Sequence, residues 1–554
     1  MDLNQTPDGT VVPGLFQPTL PMDRLIVRSS PDEEAVPMDV LFVGGGPAGL
    51  AGAIELARLV KDDEQLRDIE IGVLEKALSL GEHCLSGAVV DIGPLRELFP
   101  NVNVTELPLR GKVPAERVYL LTRGGRIRLP TPLPMRNHGH HVASICEIVR
   151  WMGERAEEAG VNVFTGFPAD ALLMDDDRVV GVRTVPSGLE RDGTPGADYM
   201  PPTDVTARVT VLTEGSRGPL TQAWMAEQGV GSPNPQIYAL GVKELWHVPK
   251  PLETVVHTLG YPLPKDAFGG SWMYPMGDGL VSLGLVVGLD YHQTTLDVHE
   301  LLQQMKQHPL FRDVLAGGAM LEWGARTIPE GGYYSLPERL SGDGLIVAGD
   351  AAGLVDVASL KGIHYAMYSG MYAARTIYDA LRADRTDATG LSSYDTMVRE
   401  SDIARDLYER RNMRLAFKSG FYCGGLKSSL AMVTKGRVPG RRIKVDSDAA
   451  EPKYAAAAPS FQPDGELTFS KLDAVFRSGN ATRDNVPSHL LAAEEIPREV
   501  GELYSHLCPA GVYEWTDEGL VINAPNCIDC RATDVLGPRW TPREGGSGPS
   551  YKRM

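Results

Sequence analysis

Three cysteines near the carboxyl end are the residues whose type and spacing point most directly to chemistry. Pro509 follows Cys508, and 18 residues separate Cys508 from Cys527, which opens a C-x-x-C pair closed by Cys530. Cys-Pro and C-x-x-C are familiar settings for thiolates that hold an iron-sulfur centre. Zinc fits less well, because it wants four ligands and the nearest histidine, His506, stands only two positions before Cys508. Cys84, Cys146 and Cys423 are isolated in sequence and read as small buried apolar residues.

A second constellation lies toward the other end of the chain. A buried-strand run at 39–43 feeds into Gly44, Gly45, Gly46, Pro47, Ala48 and Gly49, and a helical pattern of Leu50, Ala53, Ile54, Ala57 and Val60 follows. Gly44 permits the tight turn, Gly46 lets the backbone approach a pyrophosphate, and Gly49 allows close helix-strand packing. The helix amino terminus offers N–H groups to the anion. A second strand, at 69–74, ends at Glu75, which is placed to accept hydrogen bonds from an adenosine ribose. Glu75 lies 26 residues past Gly49, slightly beyond the usual spacing of about 20, and the charged loop at 61–65 supplies the difference.

Far downstream, a strand at 345–348 runs into Gly349, Asp350, Ala351, Ala352 and Gly353. Asp350 suits a ribityl or pyrophosphate-side hydroxyl, and the flanking Gly349 and Gly353 allow close approach. Two such turns indicate FAD rather than a nicotinamide cofactor. A third, at 214–218, is similar to the turn that closes the pocket in flavin hydroxylase-like folds.

These turns need an α/β framework to bring them together. Alternating β-rich and helical stretches at 38–225, with a similar texture returning within 331–400, predict one discontinuous Rossmann-type FAD-binding domain with residues 226–330 inserted. Residues 1–37 read as an arm over the surface, 401–453 as a basic segment, and 454–554 as a small terminal module entered through an Ala/Pro-rich linker at 455–463. A chain of 554 residues exceeds one ordinary core, and its 43% apolar content is ample for several. The net charge of -18 argues against nucleic acid as a partner. Residues 1–37 carry no secretory pattern, and no apolar run approaches the roughly 20 residues of a spanning helix. The expectation is a cytosolic protein with at most peripheral membrane contact.

Such contact has a candidate. Residues 410–444 contain ten Lys and Arg and no Asp or Glu, with Phe417, Phe421, Tyr422, Leu426, Leu430, Met432 and Val433 interleaved. This mixture suits an anionic membrane surface, worth about 1 kcal/mol per basic residue near the headgroups.

Further segments occur in a recognisable order: Gly87 within 85–88, then 242–246, 268–271, 284–291 and 508–513. From residue 38 onward the chain closely resembles the electron-transfer flavoprotein:quinone oxidoreductase family. The resemblance implies an inserted α+β quinone-binding domain and a terminal ferredoxin-like iron-sulfur domain. It implies electrons passing from reduced electron-transfer flavoprotein, through FAD and an iron-sulfur centre, to membrane quinone. It also implies a peripheral position on the cytoplasmic side of the inner membrane, as in a bacterial-type chain without a targeting sequence. The family's quinone lies beside a Gly-Gly pair, here Gly269 and Gly270 between Phe268 and Trp272. Its fourth cluster cysteine corresponds to Thr533, and a threonine hydroxyl is a poor iron ligand because its proton is hard to lose. Three outcomes stay open: a four-iron cluster completed by water or a carboxylate such as Asp529 or Asp534, a three-iron cluster, or none. Rival functions are a geranylgeranyl-reductase-like flavoenzyme and a cluster-less docking protein for the redox carrier.

Overall fold

The computed structural model describes residues 10–87, 89–456 and 461–554, so the linker at 455–463 and the arm at 1–37 lie partly outside the described residues. Val40, Leu41 and Phe42 are fully buried, as expected of a strand covered on both faces. They belong to strand Val36–Val43, which runs parallel between Ile71–Glu75 and Asp204–Leu212 in a nine-stranded sheet. Leu345–Val347 pairs in parallel with Asp204–Leu212, so three strand ends carrying candidate turns open on the same edge. Helices Pro47–Val60 and Ile363–Arg382 pack on each other over this sheet. Their contact is glycine-thin: a Cβ on Gly370 would overlap the carbonyl oxygen of Ala48.

A second, seven-stranded sheet runs in the order Ala319–Pro329, Tyr238–His247, Leu280–Gly288, Gly269–Pro275, Thr254–Gly260, Ala115–Leu121, Arg126–Leu129. Its last two strands come from within 38–225, so the two sheets do not divide the chain at residue 225. Helix Val298–Lys306 is tied to this sheet by Lys306, whose ammonium lies 2.9 Å from the Glu244 carboxylate with both side chains fully buried. Gln303 and the Trp246 indole also donate to that carboxylate, at 3.0 and 2.6 Å, which satisfies a charge that would otherwise be costly to bury.

The terminal module comprises helix Arg498–Leu507, the hairpin Tyr513–Thr516 with Gly519–Ile522, and helix Ala532–Leu536. Leu503, Tyr504 and Leu507 share one apolar core with the second sheet. The arm straps the molecule at three places. Thr10–Val11 pairs with Lys453–Tyr454, Ile26–Val27 pairs with Ala169–Asp175, and Gln17 donates to the carbonyl oxygens of Asp534 and Gly537 at 3.0 and 3.2 Å.

Gly370→Ala should destabilise the protein by about 3 kcal/mol through overpacking. In flavin-free protein Gly46→Ala, whose added methyl meets nothing within 4 Å, should lower the thermal unfolding midpoint far less than Gly370→Ala. Equal midpoints for both variants would contradict this packing.

Candidate functional site

Gly44 ends the first strand at φ +116, and a Cβ there would strike the carbonyl oxygen of Thr213 on the neighbouring strand end. The Thr213 hydroxyl lies 2.9 Å from the carbonyl oxygens of both Val43 and Gly44, binding the two strand ends together. Gly46 is the N-cap of helix Pro47–Val60 and no side chain caps that helix, so its N–H groups remain available to an anion. Space beside Gly46 is open, whereas Gly49 packs against the Gly44 carbonyl. The Glu75 carboxylate accepts from the backbone N–H groups of Gly45 and Ala77, each at 2.9 Å, which fixes its orientation while each oxygen keeps a further lone pair.

The later turn meets the first. Gly349 adopts φ +71, and a Cβ on it would lie 3.0 Å from the Ala48 side chain. Burial pushes the Asp350 carboxyl up to about 6, with Arg326 opposing the shift. Gly44, Gly46, Glu75, Gly349 and Asp350 all line a single cavity of ≈ 860 Å³. Gly49 and Gly353 do not line it: Gly49 makes the helix-strand contact, and Gly353 closes the turn in the left-handed conformation at φ 76.

The same cavity extends along strand Gly269–Pro275 to helix Phe421–Val433. Gly269 and Gly270 pair with Val287 and Val286 of Leu280–Gly288 and expose backbone to the cavity where side chains would collide with Val286 and Thr258. Phe268 packs at a tilt against Phe417 at a centroid distance of 4.8 Å, and the Arg414 guanidinium lies 4.1 Å over the Phe268 ring. Phe421, Tyr422, Gly425, Ser428, Ser429 and Met432 of the helix complete this end.

Cys508, Cys527, Cys530 and Thr533 line a second, small cavity. Burial pushes the Cys527 thiol up to about 12 and the Cys530 thiol well above its ordinary range. Buried thiols alone would therefore stay protonated, whereas a cationic iron centre would draw off their protons, so this donor set fits an iron-sulfur cluster. Arg531 and Trp540 line both cavities, with the guanidinium 3.5 Å over the indole ring. This stacked pair is a wall common to the two sites. It is backed by a hydrogen bond of 2.9 Å from the Thr327 N–H to the Cys530 carbonyl.

Residues 238–328 match the family model described as ETF-QO, ubiquinone-binding, and residues 465–552 match that described as Electron transfer flavoprotein-ubiquinone oxidoreductase, 4Fe-4S. The chain is 37% identical over 557 residues to the mitochondrial electron transfer flavoprotein-ubiquinone oxidoreductase of Arabidopsis thaliana, covering 95% of this chain and 86% of that protein. Against the protein of the same name from Homo sapiens the identity is 36% over 554 residues, covering 93% and 89%. The chain belongs to the electron transfer flavoprotein-ubiquinone oxidoreductase family. Among solved structures, a geranylgeranyl bacteriochlorophyll reductase-like protein from Thermoplasma acidophilum shares the fold, with a TM-score of 0.55 and 18% identity over 72% of this chain and 92% of that one.

In this family member the structure alters several expectations. Asp529 and Asp534 are not free to complete a cluster. The Asp529 carboxylate is held by Lys76, by Arg543 at 2.7 Å and by the Trp540 indole at 3.0 Å. That of Asp534 is held by Arg217 at 2.7 Å and the Trp540 N–H at 3.1 Å. Cys423 is exposed on helix Phe421–Val433, not buried, because the helix turns it away from the core. The basic segment is less basic at its surface than its composition suggests. Arg414 reaches inward to Asp290 and Glu330 at 2.8 and 2.6 Å, Arg410 binds Asp356, and Lys418 binds Glu451. Sequence reasoning missed Arg326, Lys361, His257 and Tyr274, which line the large cavity without belonging to any motif of their own.

For Asp350 the raised value means that the protonated carboxyl is the favoured buried form, so its stabilising contribution is complete below 3.8 and is lost as pH rises through about 6. In flavin-free protein, Asp350→Asn should match wild type in thermal midpoint below pH 3.8, exceed it increasingly between 3.8 and about 6, and keep a constant excess above that. Parallel pH profiles would contradict the burial assigned to this group.

Proposed function

We propose that this chain passes electrons from a reduced electron transfer flavoprotein, through FAD and an iron-sulfur cluster, to a membrane quinone. The observation that carries the reading is the continuity of one cavity from the two glycine turns to the Gly269-Gly270 strand, together with the Arg531-Trp540 partition it shares with the thiol cavity. Gly44, Gly46 and the amino terminus of Pro47–Val60 hold the diphosphate, Glu75 the ribose, and Asp350 a hydroxyl of the sugar-alcohol chain. Gly49 and Gly353 shape the two turns. Bound flavin accepts electrons singly and releases them as a pair, which matches a one-electron carrier to a two-electron acceptor. Cys508, Cys527 and Cys530 hold the cluster. Gly269 and Gly270 bring backbone against the quinone, between the aromatic rings of Phe268 and Trp272.

Quinone enters from the membrane at helix Phe421–Val433 in this reading. No helix among the described residues is long and apolar enough to cross a membrane. Tyr422, Leu426 and Val433 are 73%, 75% and 80% exposed, and Lys427, Arg437, Arg441, Arg442 and Lys444 stand exposed near them. Apolar side chains flanked by cations suit peripheral docking on anionic headgroups, and we place this face on the cytoplasmic side of the inner membrane.

Anaerobic titration tests the electron path. Reduced electron transfer flavoprotein should bleach the bound flavin, and a quinone analogue should restore its colour. Reduction by NADPH instead would favour a geranylgeranyl-reductase-like enzyme, and failure to retain flavin a docking protein. Flotation with vesicles tests the docking: binding should require anionic lipid and weaken with salt. Indifference to both would remove the electrostatic account.

A further inference from the structure

We infer that this chain holds its cluster through three thiolates alone, leaving at the fourth corner, beside the hydroxyls of Tyr513 and Thr533, an iron that the protein does not retain. The inference rests on the reading that Cys508, Cys527 and Cys530 bind an iron-sulfur cluster.

Thr533 shares the small cavity with the three cysteines, and its hydroxyl lies 3.3 Å from the Tyr513 phenol oxygen, which also faces that cavity. The Thr533 hydroxyl has its hydrogen bonding met by the phenol without metal, and its proton is far harder to displace than a thiol's. No other cysteine replaces it. Cys84 borders the large cavity and not the small one, the Cys146 thiol contacts the carbonyl oxygens of Cys84 and Met554 in a separate apolar cluster, and Cys423 is exposed on the helix proposed to meet the membrane. No carboxylate replaces it either, since Asp529 and Asp534 are occupied by Lys76, Arg543, Arg217 and Trp540, and neither lines the cavity.

His489 is the remaining candidate. It is buried with both ring nitrogens unpartnered, and it lies within 4.8 Å of the Cys527 sulfur and the Asp529 carboxylate. Its ring packs edge-on against Trp540 at 5.9 Å and does not line the cavity. His489 therefore neighbours the Cys527 sulfur without lining the cavity that Thr533 shares with the three thiols.

The test uses the full-length protein purified without oxygen, challenged with EDTA at neutral pH, and read by iron and sulfide analysis and low-temperature EPR. Wild type should lose about one iron in four, as Fe(II), while keeping its sulfide, and one-electron oxidation with ferricyanide should then bring up the EPR of a three-iron centre. Thr533→Cys should keep all its iron, and Thr533→Val and His489→Gln should behave as wild type. Retention of every iron by wild type would overturn the inference. So would loss from Thr533→Val or His489→Gln of more iron than wild type loses. A protein isolated with neither iron nor sulfide would overturn the cluster reading itself, which separates the two failures.

Discussion

The Asp529 carboxylate is the knot on which the site depends. It is 1% exposed, and burial alone would raise its pKa, yet Arg543 and Lys76 hold it well below the carboxylate range. Lys76 directly follows Glu75 at the end of a strand of the first sheet, whereas Asp529 sits between Cys527 and Cys530. One ion pair thus joins the dinucleotide side of the large cavity to the cysteine loop. The Trp540 indole donates to the same carboxylate and carries the Arg531 guanidinium on its face, so the partition is positioned by the charge that docks the module. A buried charge of this kind tolerates little displacement, because losing a partner leaves it uncompensated.

Around that knot the electrostatics run against the chain's overall sign. The protein carries a net charge of -18, yet Lys76, Arg326, Lys361 and Arg531 all face the large cavity. Burial lowers Lys76 to about 8 and Arg531 to about 10, so cations here are expensive to keep and would gain from an anionic occupant. The inner ends of the basic segment follow the same logic. Arg414 and Lys418 converge on Asp290, which they hold below its usual range against the effect of burial, and this fixes the aromatic end of the cavity.

Much of the site was legible from local pattern. The strand-turn-helix around Gly44, Gly46 and Gly49 has a periodicity that the structure reproduces, because a turn between a buried strand and a helix is specified by its own few residues. Thr533 was legible as a departure only against a family pattern. What the sequence hid are contacts whose partners are hundreds of positions apart, such as Gln17 with Asp534, Arg217 with Asp534 and Arg326 with the Asp529 carbonyl. The inward turn of Arg410, Arg414 and Lys418 within the basic segment was hidden for the same reason. Charge along a chain is countable, but whether Arg414 points to solvent or to Glu330 is decided by packing.

By itself the sequence determined the glycine turns, the alternation of strand and helix that carries them, and three thiols spaced for one centre, all consequences of short-range sterics and ligand spacing. Tertiary structure alone decided that the turns, the Gly269-Gly270 strand and helix Phe421–Val433 border one cavity, and that Arg531 and Trp540 form its wall with the thiol site. The reason is physical: these segments meet through burial of apolar surface and pairing of inward charges over long chain separations, and neither leaves a periodic mark in the sequence.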